Sequence, residues 1–284
     1  MKASIRKADV LIEALPYLRA FHGKVVVVKY GGSALDHPAA MRGILQDVIF
    51  LSTVGVRPVL VHGGGPRISR ALERSGRATR FLNGMRVTDR HAIRVVHREL
   101  SAVNRRLVGH IAALGGRAEG FRPPQEVVVA SPHPRAAELG FVGVVGAVHT
   151  GPIRLAFLRH AIPVLSPVGV GDDGQRYNIN ADDVASDVAS ALRAEKLVLL
   201  TNVRGILRDP RDAGSLLSTV AVKQAARLIE RGVVQSGMIP KVRACVRALR
   251  RGVKKTHIID AAIPHALLLE IFTPQGIGTE IIRS

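Results

Sequence analysis

The sequence predicts an α/β fold, an open and mainly parallel sheet sandwiched by helices with a kinked helix ahead of it. Three observations predict it. Short apolar runs, such as the valines at 25–28 and the segment 197–200, alternate with longer stretches of helical periodicity, the order expected when strands are buried on both faces. Several of these runs end in glycines, at 31–32, 63–65 and 205, and sheets of this kind bind ligands at the carboxyl ends of their strands. The core is aliphatic: 47% of the 284 residues are hydrophobic and only 4% aromatic.

Taken in order, Ile5, Ala8, Leu11, Ile12, Leu15 and Leu18 give residues 4–21 one apolar stripe at helical spacing, with Pro16 expected to kink the helix near its end. The stripe precedes the first core strand, so its expected partner is a neighbouring subunit. "VVVVKYGG" (25–32) is a buried strand and its loop, and 38–53 a helix. "RPVLVHGGGPRIS" (57–69) is a second strand, a triple glycine and Pro66 at a helix start, where proline is tolerated. Residues 79–88 alternate around Asn83-Gly84, a hairpin signal, and Asp89 is placed to cap a long helix. Weaker strands are expected at 126–130 and 141–148, and a short buried one at 163–166 after a helix ending near His160. The second half continues with a helix starting at Asn180-Ala181-Asp182, a strand at "KLVLLT" (196–201), a helix opened by "SGMIPK" (236–241), a strand at "KKTHIIDA" (254–261) and a helix in "PHALLLEIF" (264–272).

The charge is unusual, with 41 Lys and Arg against 22 Asp and Glu, a net +19. These cations are scattered in ones and twos, as at Arg105-Arg106 and Lys254-Lys255, with no aromatics between them for base stacking. No specific nucleic-acid partner is expected; the charge serves solvated faces and attracts anionic substrates. The lone Cys245 excludes an intramolecular disulfide and fits a reducing cytoplasm. No apolar run approaches the roughly 18–20 residues of a membrane helix, and Asp9, Glu13 and Pro16 interrupt any secretory segment. A soluble cytoplasmic protein with no membrane partner is expected.

Lys29 ends a buried strand beside two glycines, which brings a cation and bare backbone to one place, as an anionic group requires. A solvated strand-end lysine is the simpler account. Neither G-x-x-x-x-G-K-[ST] nor G-x-G-x-x-G follows the strand. Gly63, Gly64 and Gly65 remove every Cβ between a strand and a helix, leaving amides free to face an anion at a positive helix end. A tight turn would need the same residues. His62 reads as a packed strand-end side chain, since no second ligand stands at metal spacing. Asp182, Asp183 and Asp187 sit near a helix start, where the dipole alone favours acids. Lys241 sits in the first turn of another helix, where its charge opposes the dipole, as a functional lysine would.

In order along nearly the whole chain, "VVVVKYGG", "VHGGGP", "NGMRVTD", "YNINAD", "GMIPK" and "PHALLLEIFTPQGIGTEI" resemble the amino acid kinase family. The "NINAD" segment resembles the acetylglutamate kinases within it. The resemblance implies the amino acid kinase fold and transfer of the ATP γ-phosphoryl group to N-acetyl-L-glutamate, with Mg²⁺ held mainly through the nucleotide. By the same resemblance, Lys29 and Lys241 would flank the transferring group, Asp182 would hold both lysines, and Gly32, Gly63 and Gly64 would offer backbone to phosphate. Gly64, Gly65, Arg86 and Asn178 would bind acetylglutamate. Thr201, Asn202, Val203, Gly205, Met238 and Lys241 would bind the nucleotide. An oligomerisation helix over 1–22 would precede a kinase domain over 23–284, its first lobe, to about 177, holding acetylglutamate and its second holding ATP.

"ALPYLRAFHGK" (14–24) resembles the arginine-inhibited branch, in which such helices join dimers into a hexamer, a trimer of dimers. His257, Glu270 and Gly276 match that branch's arginine site, Glu270 offering a bidentate carboxylate to the guanidinium. The sequence departs from the family at Asn202, where an acid is usual, and at 120–126, "GFRPPQE", which leaves that edge of the fold open. Two alternatives stand beside the leading one. A basic surface suits relatives that phosphorylate a glutamyl or aminoadipyl group on an acidic carrier protein, although these lack "NINAD". An arginine-sensing paralogue of weakened activity would have no reason to keep Lys29, Asp182 and Lys241.

Overall fold

The computed structural model describes residues 2–31, 35–82, 84–123, 127–209, 211–235, 237–273 and 276–283. Gly32, Asn83 and the stretch 124–126 lie outside the described residues, as does the side chain of Ala8. The chain opens with α1 (Lys2–Phe21), β1 (Val25–Tyr30), α2 (Pro38–Thr53), β2 (Arg57–His62) and α3 (Gly65–Arg74). A small hairpin, β3 (Phe81–Leu82) and β4 (Met85–Arg86), leads into α4 (Arg90–Ala113). There follow β5 (Ala118–Phe121), β6 (Val128–Pro132), α5 (Ala136–Leu139), β7 (Gly143–Val148), α6 (Thr150–Leu158), β8 (Ile162–Leu165), β9 (Val168–Val170), β10 (Arg176–Asn178) and α7 (Ala181–Ala191). The chain finishes with β11 (Lys196–Thr201), β12 (Thr219–Ala221), α8 (Val222–Glu230), α9 (Ile239–Arg250), β13 (Lys255–Asp260), α10 (Ala266–Phe272) and β14 (Thr279–Ile282).

The main sheet has eight strands in the order β12-β14-β13-β11-β1-β2-β8-β5. All neighbours run parallel except β13 and β14. The expected mainly parallel sheet is therefore present. Side chains alternate across it, so β1 sends Val26, Val28 and Tyr30 into one core with Ile44, Leu45, Leu107 and Leu267. Val27 goes into the opposite core with Val184, Val188, Val242 and Leu249. Lys29, two residues after Val27, shares the second face by the period of the strand. That face is covered by α7 and α9, and this decides what Lys29 meets.

The weak strands expected near 126–130 and 141–148 exist as β6 and β7, but they build a separate four-stranded sheet, β10-β9-β6-β7. The hairpin around Gly84 has only two residues per strand. Its outgoing arm is stitched to the second sheet, since Phe141 N donates to Thr88 O at 2.7 Å and Asn178 N donates to Phe141 O at 2.9 Å. Asp89 caps α4 as expected, accepting from Ala92 N at 2.6 Å. The departing stretch after Glu119 does not disturb the sheet edge: β5 pairs in parallel with β8 through Phe121.

Helix α1 runs unbroken past Pro16. One side of it packs through Tyr17 and Phe21, each edge-on to Phe272 of α10 at 6.5 Å. Of the expected stripe, Leu11 and Ile12 remain 65% and 68% exposed, which leaves that face of α1 without a partner among the described residues.

Candidate active site

Strands β11, β1 and β2 are adjacent and parallel, so Thr201, Tyr30 and His62 all stand at carboxyl ends on one edge of the sheet. The loops after β1 and β2 touch: Gly63 N donates to Tyr30 O at 2.8 Å. A Cβ on Gly31 would lie 3.2 Å from Gly63 Cα and from the Lys29 side chain, tighter than carbon contacts normally allow. Any larger residue there would push the two loops apart by a few tenths of an ångström.

Helix α7 begins beside these loops, its first turn capped by Asn180, whose side chain accepts from Asp182 N at 2.8 Å. Asp182 is buried between the two lysines, with Lys29 Nζ 2.9 Å from Oδ1 and Lys241 Nζ 3.2 Å from Oδ2. Burial pushes its carboxyl up, but the two ammonium groups outweigh this and hold it below the usual aspartate range. Lys241 lies in the first turn of α9, as the sequence indicated. Three ion bridges tie the two helices further along. Arg247 Nη2 reaches Asp183 Oδ1 at 2.8 Å and Asp187 Oδ2 at 3.5 Å, and Arg251 pairs with Asp187. Two of the three acids are thus accounted for by helix packing, and only Asp182 faces the lysines.

Lys29, Gly63, Gly64, Gly65, Arg86 and Asn178 line one cleft of about 450 Å³, together with Ala181 and Asp183 from the start of α7. Arg86 is buried beneath the hairpin, stacked over the Phe81 ring at 4.7 Å. It donates to Thr79 Oγ1 (3.1 Å), Gly65 O (3.0 Å) and Ser69 Oγ (2.9 Å). A guanidinium has five N–H groups, so donors remain for a ligand. Asn178 Nδ2 donates to Thr88 Oγ1 at 3.2 Å, and that hydroxyl donates to Arg86 O at 2.8 Å, which couples the two residues. Ser69, Thr79, Phe81, Thr88 and Arg247 support the site but carry no motif of their own. The signal available was the matched four-residue spacing of Asp183 with Asp187 and of Arg247 with Arg251.

The residues expected at the nucleotide do not share this cleft. Thr201 and Asn202 line a separate cavity of about 670 Å³ with His37, Asp260 and His265. The Thr201 hydroxyl closes the next turn, accepting from Val203 N at 3.1 Å and donating to Val203 O at 2.7 Å. Gly205 has φ 152° and abuts Thr279, whose hydroxyl accepts from Ile206 N at 2.8 Å. Met238 stands at the N-cap of α9, three residues before Lys241. Of the regulatory candidates, His257, Glu270 and Gly276 meet in a third pocket of about 290 Å³, whose wall includes Tyr17 and Phe21 of α1. Glu270 already accepts from His257 Nδ1 (2.6 Å), Ile277 N (2.7 Å) and Gly278 N (3.2 Å). Its carboxylate is thereby built into the wall.

The model of the amino acid kinase family matches residues 24–260. The chain belongs to that family. It is 44% identical over 285 residues to the acetylglutamate kinase of Desulforamulus reducens, covering 99% of each chain. It is 49% identical over 280 residues to that of Synechococcus elongatus, covering 98% of this chain and 93% of the relative. Among solved structures, it resembles N-acetylglutamate synthase from Neisseria gonorrhoeae in complex with coenzyme A and N-acetyl-glutamate. The TM-score is 0.87 and the identity 28%, over 96% of this chain but only 63% of that longer one. Carbamate kinase from Giardia lamblia shares the fold, with a TM-score of 0.66 at 15% identity over 92% of this chain and 99% of that one.

Asp182→Asn leaves the buried Lys29 and the half-buried Lys241 without their counter-charge, which costs about 3 kcal/mol by the usual scale for a broken buried pair. The Asp182 carboxyl is held low in the folded chain. Its contribution is therefore fully present above the ordinary aspartate pKa of about 4, and is lost progressively as pH falls from there through the lower folded value. Urea unfolding is expected to show a lower midpoint for the variant at pH 7, with the gap closing on acidification. Equal midpoints at pH 7 would contradict this.

Proposed function

We propose that the chain transfers the γ-phosphoryl group of ATP to the side-chain carboxylate of N-acetyl-L-glutamate, giving N-acetylglutamyl 5-phosphate in arginine biosynthesis. The observation that carries this is the Lys29–Asp182–Lys241 cluster, whose Lys29 lines a cleft together with Arg86 and Asn178, in a chain similar over its whole length to acetylglutamate kinases.

The nucleophile explains the make-up of the site. A glutamyl carboxylate, with an ordinary pKa of about 4.3, is already ionised at neutral pH. Its oxygen bonds to the γ-phosphorus, the bond from that phosphorus to the bridging β–γ oxygen breaks, and ADP leaves with the electron pair. No proton moves, so no general base is needed. What remains is alignment and positive charge around the equatorial oxygens. Lys29 and Lys241 supply the charge, and the amides of Gly64 and, by resemblance, Gly32 supply directed donors. Arg86 takes the substrate's carboxylate, and Asn178 its amide. Thr201, Asn202, Val203, Gly205 and Met238 hold the nucleotide in the second lobe, from about 178 onward, while acetylglutamate sits in the first. Asn202 in place of an acid is tolerated because Lys241 takes its orientation from Asp182. Among the described residues no group of three His, Cys, Asp or Glu is placed to hold a metal. The Mg²⁺ that accompanies ATP is assigned, by the resemblance, to the nucleotide phosphates.

The exposed face of α1 and the pocket it shares with His257, Glu270 and Gly276 support regulation by L-arginine in a hexamer, a trimer of dimers. Leu11 and Ile12 need an apolar cover in water, and a second α1 from another dimer provides it. The protein works in the cytoplasm; among the described residues no helix is long and apolar enough to cross a membrane.

A coupled ADP-release assay offering N-acetylglutamate, glutamate, N-acetylaspartate and 2-aminoadipate tests the substrate. Turnover is expected with the first, and none with any of the four would overturn the proposal. Lys241→Ala should lower kcat by about 100-fold or more with a smaller effect on binding, on the scale of losing one electrostatic stabiliser. Arg86→Ala should instead raise KM for acetylglutamate and leave that for ATP largely unchanged; equal rises would point to a folding defect. Deleting residues 1–20 should yield active dimers, by sedimentation, that L-arginine no longer inhibits. Persisting hexamers would refute the assembly, and an inhibited dimer would refute the coupling.

A further inference from the structure

We infer that His62 is a positioning residue for phosphoryl transfer: acting through the Gly63 carbonyl, its buried imidazole aims the Gly64 N–H into the cleft. This rests on the kinase reading above and adds to it a residue outside the lysine clamp. His62 ends β2 with its side chain fully buried. Its Nδ1 lies 3.0 Å from Gly63 O, and its Nε2 lies 3.3 Å from Asn104 Nδ2 of α4. The same Asn104 nitrogen donates to Val164 O at 2.8 Å.

These contacts fix the tautomer. Val164 O can only accept, so Asn104 must present its NH₂ group on this side, with one hydrogen for each neighbour. His62 Nε2 then accepts, and a neutral imidazole that accepts at Nε2 carries its proton on Nδ1. That proton goes to Gly63 O. Burial agrees with a neutral ring, pushing the His62 pKa down to about 4.

A trans peptide holds its C=O and N–H on opposite sides of one plane. Anchoring Gly63 O against the ring therefore turns the Gly64 N–H away from it. Gly64 lines the cleft, and among the described residues its N–H has no acceptor. On the other side of Gly63, its own N–H is anchored to Tyr30 O at 2.8 Å. Both peptides around Gly63 are thus held, in a loop whose three glycines would otherwise leave them free to rotate. A flipped 63–64 peptide would present a carbonyl oxygen to the phosphoryl group where a donor is needed, reversing the local field.

Three variants test this: His62→Leu, His62→Asn and His62→Gln. An asparagine amide nitrogen can occupy the place of Nδ1, whereas a glutamine amide reaches the place of Nε2. The Leu and Gln variants should lose about 10- to 100-fold in kcat, up to the scale of one lost oxyanion donor, and Asn should stay within about fivefold of the parent. KM for acetylglutamate should move by less than about threefold in all three, since the donor acts on the transferring group. Thermal unfolding identifies the folded variants; if Leu does not fold, the Asn–Gln contrast decides alone. A folded Leu variant with parental kcat, or Asn falling as far as Gln, would overturn the inference and leave His62 a packing residue. An unmodified protein that never releases ADP with acetylglutamate would sink the kinase reading along with it, whereas an active protein indifferent to these changes would sink this inference alone.

Discussion

The site depends on one carboxylate placed between two ammonium groups. Asp182 would be costly to bury alone, and Lys29 would be costly to bury at the end of a core strand. Together they compensate each other, and Lys241 completes the arrangement from a second helix. The consequence is mechanical as well as electrostatic. Two flexible side chains that would repel each other are held at fixed points near a cleft, with their charge ready for an anion and little reorganisation left to make. The surrounding packing serves that geometry. The arginine–aspartate bridges between α7 and α9 set the two helices against each other so that their N-terminal turns bring Asp182 and Lys241 together.

The same arrangement accounts for what the site lacks. A carboxylate nucleophile arrives ionised, and neither Asp182, held low by its lysines, nor His62, kept neutral by burial, is in a state to shuttle protons near neutral pH. Catalysis then falls to charge and alignment, which rigid elements supply well. Lys29 comes from a strand, Lys241 and Asp182 from helix starts, and the Gly64 amide from a loop held on both sides of Gly63. The net charge of +19 belongs to a different scale: on the proposed reading it would attract anionic substrates to the surface without defining the site.

Much of this was legible in the sequence because it is local. Four valines before Lys29 mark a buried strand, and Lys241 stands out as a cation in the first turn of a helix, against the dipole. Asp89 declares itself as a cap. Asp182 was legible only as one of three acids at a helix start, because what singles it out is the pleat of β1, which sends Lys29 to the face that α7 covers. Asn104 was invisible. It is a single amide within a long helix, 42 residues from the histidine it fixes, and no pattern in either segment connects them. The second sheet was not anticipated for a related reason: β9 and β10 have three residues each, too few for a period to emerge. At Pro16, where proline argues against a helix that the apolar spacing continues, α1 runs on, and Tyr17 and Phe21 just beyond it pack against Phe272.

The most direct test is an experimental structure with Mg-ADP, tetrafluoroaluminate and N-acetylglutamate bound together. The account predicts a planar fluoroaluminate between the ADP β-phosphate and the substrate carboxylate. Lys29 and Lys241 should donate to its fluorides from opposite sides, and Asp182 should still lie within ion-pair distance of both. A fluoroaluminate bound out of reach of either lysine, or an Asp182 released from the pair, would contradict it.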